Sequence, residues 1–179
     1  MMGRDADRNN GDRAAQPRRA NCGRIDMRIA RDGRWFYHGT PIGRQEMVRL
    51  FASVLTRRSD GSYWLVTPAE EGEIAVEDAP FLAVEMAAEG EGRAARLSFR
   101  TNVDDWVPLD SLHPLRVDLD RPGSPPYILV REGLEARLAR PVYYHLAELA
   151  VEEERAEGRV LGIWSDRLFF PLGRADQGS

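Results

Sequence analysis

The sequence contains no lysine, so all 25 of its basic residues are arginines. This absence excludes Schiff-base chemistry, a lysine general base and the lysine of a phosphate-binding P-loop. Cysteine is almost as scarce, and the single Cys22 excludes internal disulfides and metal sites built from several cysteines. The heavy use of Arg and Ala indicates a bacterial source with a GC-rich genome.

Long hydrophobic runs are also missing. No stretch approaches the roughly 18 consecutive apolar residues that indicate a membrane-spanning helix, and the N-terminus has no apolar signal core. With 179 residues, 42% of them hydrophobic, the chain can form one medium domain or two small ones that share a core. We therefore expect a soluble, cytoplasmic protein without a membrane partner.

Charge is distributed unevenly along the chain. Residues 1–24 carry six Arg against three Asp and little that could be buried, which predicts a disordered basic tail. This tail is either a solvated leader or a basic arm that contacts nucleic acid or a membrane surface. The rest of the chain has a net charge of −7, which argues against a nucleic-acid partner because phosphate neutralisation supplies most of such affinity. We expect a second frayed tail at residues 174–179.

Two segments have the hydrophobic period of an amphipathic helix. Residues 43–55 form the clearest one, with an apolar stripe made of Met47, Val48, Leu50, Phe51, Val54 and Leu55. The other begins at Arg140 and Pro141, since proline favours the first turn, and its predicted buried face consists of Val142, Tyr143, Leu146, Leu149 and Ala150. Leu50 and Leu146 are predicted to be core residues at equivalent places.

Short apolar segments that end at Gly, Asp or Pro surround both helices. The turn at Asp32 and Gly33 separates two such segments, which is a strong hairpin signal. The succession predicts antiparallel strands that close into a sheet or a partial barrel.

The two parts of the chain resemble each other in sequence. At a spacing of 100 residues, Arg31-Asp32-Gly33 matches Arg131-Glu132-Gly133 and Trp64 matches Trp164. At a spacing of 96 residues, Ile42-x-Arg44 matches Leu138-x-Arg140 and Leu50 matches Leu146. The interpretation is an α+β protein with duplicated strand–helix–strand halves, at residues 25–79 and 80–173. The alternative is a chance resemblance between two amphipathic helices.

Candidate chemistry is sparse. Cys22 falls in the predicted tail and no serine occupies a Gly-x-Ser-x-Gly elbow, so no nucleophile and no catalytic residue is identified. A hard cation could be held by the strand-end group Asp78, Asp104, Asp105 and His113. The alternative is that these residues simply form turns and bends. The sequence identifies no cofactor and favours a binding protein over an enzyme.

Arg44 and Arg140 each lie at the start of a predicted helix, where the helix dipole disfavours a cation by a few tenths of a kcal/mol. One explanation is that each arginine and the nearby helix amides hold an anion. The other is that each pairs with an acid such as Glu77, Asp78 or Glu132. Trp106, Tyr127 and Trp164 could add a stacking surface, although aromatic residues in strands are more often core.

Several motifs in one order resemble the bacterial domain-of-unknown-function family 1285 over about residues 25–173. They are Arg31-Asp32-Gly33-x-Trp35, Ile42-Gly43-Arg44, Val76-Glu77-Asp78-Ala79-Pro80-Phe81, Phe99-Arg100-Thr101-Asn102, His113-Pro114-Leu115 and Gly162-x-Trp164-Ser165. The resemblance implies a duplicated α+β architecture whose C-terminal half is like a pleckstrin-homology barrel. It also implies a ligand site between the halves for a nucleotide-like molecule, and a signalling role.

The leading hypothesis is therefore a protein that binds a small anionic, nucleotide-like ligand between its halves. Its predicted ligand-binding residues are Arg44, Arg140, Arg100, Thr101, Asn102 and His113. A metal-assisted hydrolase and a protein-interaction module are the alternatives.

Overall fold

A computed structural model describes residues 19–121, 123–156 and 158–175, and shows a mostly β-sheet protein with two short helices. The N-terminal half contains β1 (Ala20–Ile29), β2 (Trp35–Tyr37), β3 (Thr40–Pro41), α1 (Gln45–Ser53), β4 (Leu55–Arg57), β5 (Tyr63–Val66) and β6 (Glu70–Val76). The C-terminal half contains β7 (Phe81–Glu89), a 3₁₀ turn (Gly92–Ala94), β8 (Arg96–Thr101), β9 (Trp106–Pro108), β10 (Leu115–Arg116), β11 (Tyr127–Arg131), β12 (Leu134–Leu138), α2 (Arg140–Glu148), β13 (Val151–Arg155), β14 (Gly158–Ser165) and β15 (Leu168–Arg174). Each helix has nine residues, and no described helix is long and apolar enough to cross a membrane.

The strands form three sheets. The N-terminal sheet has the order β3-β2-β1-β6-β5-β4, in which only β1 and β6 are parallel. The second sheet has the order β10-β11-β12-β7-β8-β9, with one parallel pair between β12 and β7. The third is the antiparallel meander β13-β14-β15.

The predicted similarity of the two halves is confirmed. Each half contains an antiparallel hairpin, then a helix, then a three-stranded antiparallel meander. The hairpins are β1-β2 and β11-β12, and the meanders are β4-β5-β6 and β13-β14-β15. The two halves differ in how their sheets are paired. The first hairpin joins the meander of its own half, whereas the second hairpin joins β7.

One hydrophobic core runs through both halves. Strand β12 shows how the sequence builds it, since Leu134, Ala136 and Leu138 are buried while the residues between them face the other side of the sheet. The largest fully buried side chains come from both halves and include Trp35, Phe81 and Phe99. The hairpin turn predicted at Asp32 and Gly33 is present, and Gly33 has a φ of +84°, a conformation that glycine adopts without steric cost.

The predicted phase of α1 is wrong. The helix buries Val48 and Ala52, whereas the side chain of Leu50 is 63% exposed and that of Met47 is 43% exposed. Leu55 is buried, but in β4 rather than in the helix. The apolar residues of segment 43–55 are therefore divided between a helix shorter than predicted and the strand that follows it.

The same error affects the predicted match between the helices. In α2 the buried residues are Val142 and Leu146, and Leu149 is exposed. The buried pairs of the two helices therefore correspond at a spacing of 94 residues rather than 96. Two residues on a helix correspond to a rotation of about 200°, which places Leu50 on the outer surface.

The ordered chain begins before the predicted boundary at Ile25. Residues Ala20–Arg24 belong to β1 and pair with β6, so Cys22 lies in a strand rather than in a tail. At the other end, Arg174 belongs to β15 and pairs with Val160, so the predicted frayed tail at residues 174–179 is wrong for this residue. Residues 1–18 and 176–179 of the predicted tails lie outside the described residues. Sequence reasoning also missed β13, because its run of Glu152, Glu153 and Glu154 lacks the alternation of a half-buried strand.

Candidate functional site

A cleft of about 540 Å³ opens between the two halves. The N-terminal half contributes Arg31, from the turn between β1 and β2, and Asp78, which follows β6. The C-terminal half contributes strands β10, β11 and β12 and the loop between β10 and β11, through Arg116, Asp118, Arg121, Gly123, Ser124, Pro125, Tyr127 and Arg137. Four arginines and two aspartates thus line one opening.

Strand pairing places three of these side chains in a row. Arg116 pairs with Tyr127 across β10 and β11, and Tyr127 pairs with Arg137 across β11 and β12. Directly opposed residues point to the same face of a sheet. The guanidinium of Arg116 lies 4.3 Å from the centre of the Tyr127 ring.

Asp78 connects this row to the N-terminal half. The hydroxyl of Tyr127 donates a hydrogen bond of 2.9 Å to Oδ1 of Asp78. Nε of Arg137 lies 3.2 Å from Oδ2 of Asp78, so the two side chains form an ion pair. The geometry of this contact is not that of a hydrogen bond. Nε of Arg137 is therefore a buried donor without a hydrogen-bond partner among the described residues. Nη2 of Arg137 donates to the backbone oxygen of Arg31 at 2.7 Å.

Two groups in the row have shifted pKa values. Burial, followed by the hydrogen bond to Asp78, raises the pKa of Tyr127, so this phenol stays protonated and acts as a donor at neutral pH. The hydrogen bonds to Glu135 raise the pKa of Arg116, against a smaller opposing effect of burial. Both of those bonds are 2.7 Å long and form a bidentate pair.

Arg31 and Arg121 differ from the other two arginines of the cleft. Arg116 and Arg137 have carboxylate partners, whereas no ion pair within the described residues includes the side chain of Arg31 or Arg121. Both are exposed at the cleft. Asp118 is the nearby acid of the lining, and its Oδ1 accepts a hydrogen bond from the backbone amide of Asp120. The carboxylate of Glu77 accepts a hydrogen bond of 3.0 Å from the backbone amide of Arg31, so this acid lies beside Arg31 without an ion pair to its guanidinium. The cleft therefore presents two arginines whose guanidinium groups form no ion pair within the described residues.

The predicted ligand residues at the end of β8 make structural contacts. Arg100 donates to Glu85 at 2.6 Å and to Asp104 at 2.7 Å. Thr101 is fully buried, and its hydroxyl accepts hydrogen bonds from the amides of the turn that follows. Asn102 accepts from the amide of Leu82 and donates to the backbone oxygen of Gly33.

The other three predicted ligand residues belong to different elements. His113 lies in the loop between β9 and β10, where Nδ1 is 2.9 Å from Oδ1 of Asp110. Arg44 is the exposed N-cap residue of α1, whereas Arg140 is inside the first turn of α2 behind the cap Ala139, so the two positions are not equivalent. None of the six residues is among those that line the cleft.

The alternative metal group is not assembled. Asp78 contacts Tyr127 and Arg137, Asp104 contacts Arg49 and Arg100, and His113 contacts Asp110. Over the described ranges, no group of three or more His, Cys, Asp or Glu side chains is arranged to hold a metal ion. Asp78 and Asp104 instead form ion pairs with arginines.

Sequence reasoning missed Arg31, Arg116, Arg121 and Arg137 as a group. A partial signal was present, since Glu135 and Arg137 occupy the polar positions of β12 and so face away from the core. The register between β10, β11 and β12 decides that Arg116, Tyr127 and Arg137 are neighbours, and a single sequence does not reveal it. Of the three aromatic residues proposed for stacking, only Tyr127 lines the cleft.

Comparison with known proteins assigns the chain to a family. Residues 16–79 match the model of the N-terminal domain of unknown function DUF1285, and residues 80–172 match the model of the C-terminal domain of the DUF1285 protein of unknown function. The chain belongs to the DUF1285 family. The resemblance inferred from the sequence motifs is thereby confirmed.

Two crystal structures of DUF1285 family proteins are similar to this DUF1285 chain. The one from Silicibacter pomeroyi DSS-3 has 43% sequence identity and a TM-score of 0.81, over 89% of this chain and 86% of that one. The one from Shewanella baltica OS155 has 26% identity and a TM-score of 0.56, over 69% of this chain and 91% of that one. No curated protein matches the DUF1285 chain.

Proposed function

We propose that this DUF1285 protein binds a small anionic, nucleotide-like molecule in the cleft between its halves, in a signalling role. The observation that carries the proposal is the pair Arg31 and Arg121, two exposed arginines of one cleft that no ion pair of the described chain includes. Guanidinium groups recognise phosphate and carboxylate through paired hydrogen bonds. A ligand with two anionic groups could satisfy both.

The remaining lining residues fit a ligand that is more than a bare anion. Asp118 repels phosphate but accepts hydrogen bonds from hydroxyl groups, as a sugar offers them. The Tyr127 hydroxyl already donates to Asp78, and the bidentate contact with Glu135 fixes the guanidinium of Arg116. Side chains held in this way recognise a ligand without a large loss of conformational entropy.

The acidic character of the whole chain opposes anion binding only at long range. The chain has a formal net charge of −4, and charges separated by more than about 8 Å are largely screened at physiological salt. Direct contacts with Arg31 and Arg121 act at much shorter distances, so the local arginines determine the affinity.

Calorimetric titration of the full chain tests this proposal. ATP, adenosine and pyrophosphate are the probes, since together they separate recognition of the base and sugar from recognition of the phosphates. Arg31→Gln and Arg121→Gln should each weaken ATP binding by roughly 1.5–3 kcal/mol, the value of a hydrogen bond to a charged group. The melting temperatures of both variants should remain unchanged, because both side chains are exposed.

Arg44→Gln and Arg140→Gln are matched controls outside the cleft, and together they test the alternative that the ligand binds at the helix starts. Both remove one exposed arginine outside the cleft, so their ATP affinity should equal that of the wild type. A loss of affinity in these two variants, with none in the cleft variants, would move the site to the helix starts. Absence of heat with all three probes would contradict the proposed ligand class.

The pleckstrin-homology-like character of residues 80–173 remains part of this proposal. It comes from the family resemblance, and the mixture of a large sheet, a meander and one helix in this half is compatible with it. Superposition of residues 80–173 alone on pleckstrin-homology domains tests it, and the expected result is a common order of strands.

A further inference from the structure

The charge of Arg116 is already compensated within the cleft. Its Nε and Nη2 donate hydrogen bonds of 2.7 Å to the two carboxylate oxygens of Glu135. This bidentate contact occupies one edge of the guanidinium and offsets its charge locally. Arg116 is therefore a weaker partner for a phosphate than Arg31 and Arg121, whose side chains form no ion pair within the described residues.

Tyr127 covers one side of the same guanidinium. Cζ of Arg116 lies 4.3 Å from the centre of the Tyr127 ring, which is a cation–π distance. The ring is itself held in place, because its hydroxyl donates to Asp78 at 2.9 Å. The side chain of Arg116 nevertheless remains 57% exposed. Since Glu135 takes an edge and Tyr127 takes one side, the exposed part includes the opposite side, and Arg116 lines the cleft.

The guanidinium of Arg116 thus offers a fixed planar surface to a molecule in the cleft. Guanidinium groups are planar and delocalised, and they stack on aromatic rings and on nucleobases. Among the described residues that line the cleft, Tyr127 alone is aromatic, and one side of its ring is already taken by Arg116. A base that stacks on Arg116 would extend the existing pair into a stack of three layers.

We propose that the exposed side of the Arg116 guanidinium is the base subsite of the cleft, on which the nucleobase of the ligand stacks while its phosphates contact Arg31 and Arg121. This inference rests on the proposed nucleotide-like ligand and adds the position of its base. It gives the arginines of the cleft two roles, since those without an ion pair hold charge and the compensated Arg116 holds a flat ring.

The order of the strands separates the base subsite from Arg31. Arg116 lies on β10 and Arg137 lies on β12, two strands away. Because neighbouring strands are about 4.8 Å apart, the two backbones are separated by about 10 Å. Nη2 of Arg137 donates to the backbone oxygen of Arg31 at 2.7 Å, which places Arg31 at the β12 side of the cleft. The cleft volume of about 540 Å³ lies within the range of small-molecule sites.

Arg116→Lys tests the proposal, because lysine keeps a positive charge beside Glu135 but removes the planar surface. In calorimetric titration of the full chain, this variant should bind ATP about five- to thirtyfold more weakly than the wild type, as expected for the loss of one stacking contact with a base. Its affinity for pyrophosphate, which has no base, should stay within about twofold of the wild-type value. The wild type should also prefer ATP to UTP, because a purine stacks more strongly, and the variant should lose this preference.

Arg58→Lys is the matched control. Cζ of Arg58 lies 3.7 Å from the centre of the Trp64 ring, and its Nη2 donates to Glu71 at 2.8 Å. Arg58 therefore has the same kind of aromatic and carboxylate partners as Arg116, but it does not line the cleft. The affinity of Arg58→Lys for ATP should equal that of the wild type.

Two results would overturn the base subsite and leave the proposed ligand class intact. One is an Arg116→Lys variant that binds ATP as tightly as the wild type. The other is a variant that loses affinity for ATP and pyrophosphate equally, which would make Arg116 a phosphate partner. A wild type that binds neither ATP nor pyrophosphate would overturn both the base subsite and the proposed ligand class.

Discussion

At the scale of single residues, Asn102 connects the two halves through hydrogen bonds of both its side chain and its backbone. Its side-chain oxygen accepts from the amide of Leu82 at 3.0 Å, and its side-chain nitrogen donates to the oxygen of Gly33 at 3.1 Å. Its backbone oxygen accepts from Gln45 of α1 at 2.7 Å. Gly33 must be glycine here, because a Cβ at that position would lie 2.8 Å from Nδ2 of Asn102.

We expect Asn102→Ala to destabilise the protein by about 1–3 kcal/mol, because the partly buried amide of Leu82 loses its side-chain acceptor. Urea unfolding measures this difference. Asn21→Ala is the control, since the side chain of Asn21 makes only an exposed local bond to the amide of Gly23. Its effect should stay within about 0.5 kcal/mol. Equal stability of Asn102→Ala and the wild type would show that water replaces the lost bonds.

This role also explains why sequence reasoning placed Asn102 in a ligand site. A polar Arg-Thr-Asn run at the end of a strand has the composition of a binding loop. In the structure Thr101 and Asn102 saturate backbone groups instead, and Arg100 is compensated by Glu85 and Asp104. A ligand-binding role and a structural role differ only in the hydrogen-bond partners of these side chains, and several of those partners are distant in sequence.

At the scale of elements, the buried face of an alternating strand was more predictable than the buried face of helix α1. The alternation of Leu134–Leu138 and of Arg96–Thr101 identified real strands, because each has one buried face and one polar face. Helix α1 was located correctly but rotated, since its sequence contains two apolar faces and only one of them is buried in the chain. Periodicity detects apolar faces and does not tell which of them a partner covers.

The first five residues of β1 supply a second element-level prediction. Ala20, Asn21 and Arg24 pair in parallel with Glu70, Glu71 and Glu73 of β6, although their side chains are exposed. A chain that begins at residue 25 lacks this pairing, and we expect it to lose roughly 1 kcal/mol of folding stability. For a protein of this length, such a loss lowers the melting temperature by about 2–4 °C relative to a chain that begins at residue 19. Differential scanning calorimetry of the two chains measures it. Identical melting temperatures would mean that this pairing adds no net stability.

At the scale of the whole molecule, the cleft could not be derived from sequence. Its lining comes from one turn of the first half and from three strands and a loop of the second, with Arg31 and Arg137 more than a hundred residues apart. Sequence similarity implied a site between two halves, but the location of the facing arginines depends on how the halves pack. Packing of distant segments is decided by the shared core, not by local propensity.

Contacts between the halves indicate that the molecule unfolds as one unit. Arg57 donates to the backbone oxygen of Gly133, Arg131 to that of Ala52, and Arg137 to that of Arg31. A single hydrophobic cluster contains buried residues of both halves. Elements that share a core and hydrogen bonds in this way lose their structure cooperatively.

Destabilisation of one half should therefore appear in the other. Leu146→Ala removes a fully buried side chain of the C-terminal half and should cost about 2–5 kcal/mol. In a background with Trp106→Phe and Trp164→Phe, tryptophan fluorescence reports only Trp35 and Trp64 of the N-terminal half. Because the halves share one core, the urea midpoint of that signal should fall in Leu146→Ala by as much as the midpoint of the circular dichroism. A Trp35 and Trp64 signal that keeps its original midpoint would instead show two halves that unfold independently, and a ligand in the cleft would then have to hold them together.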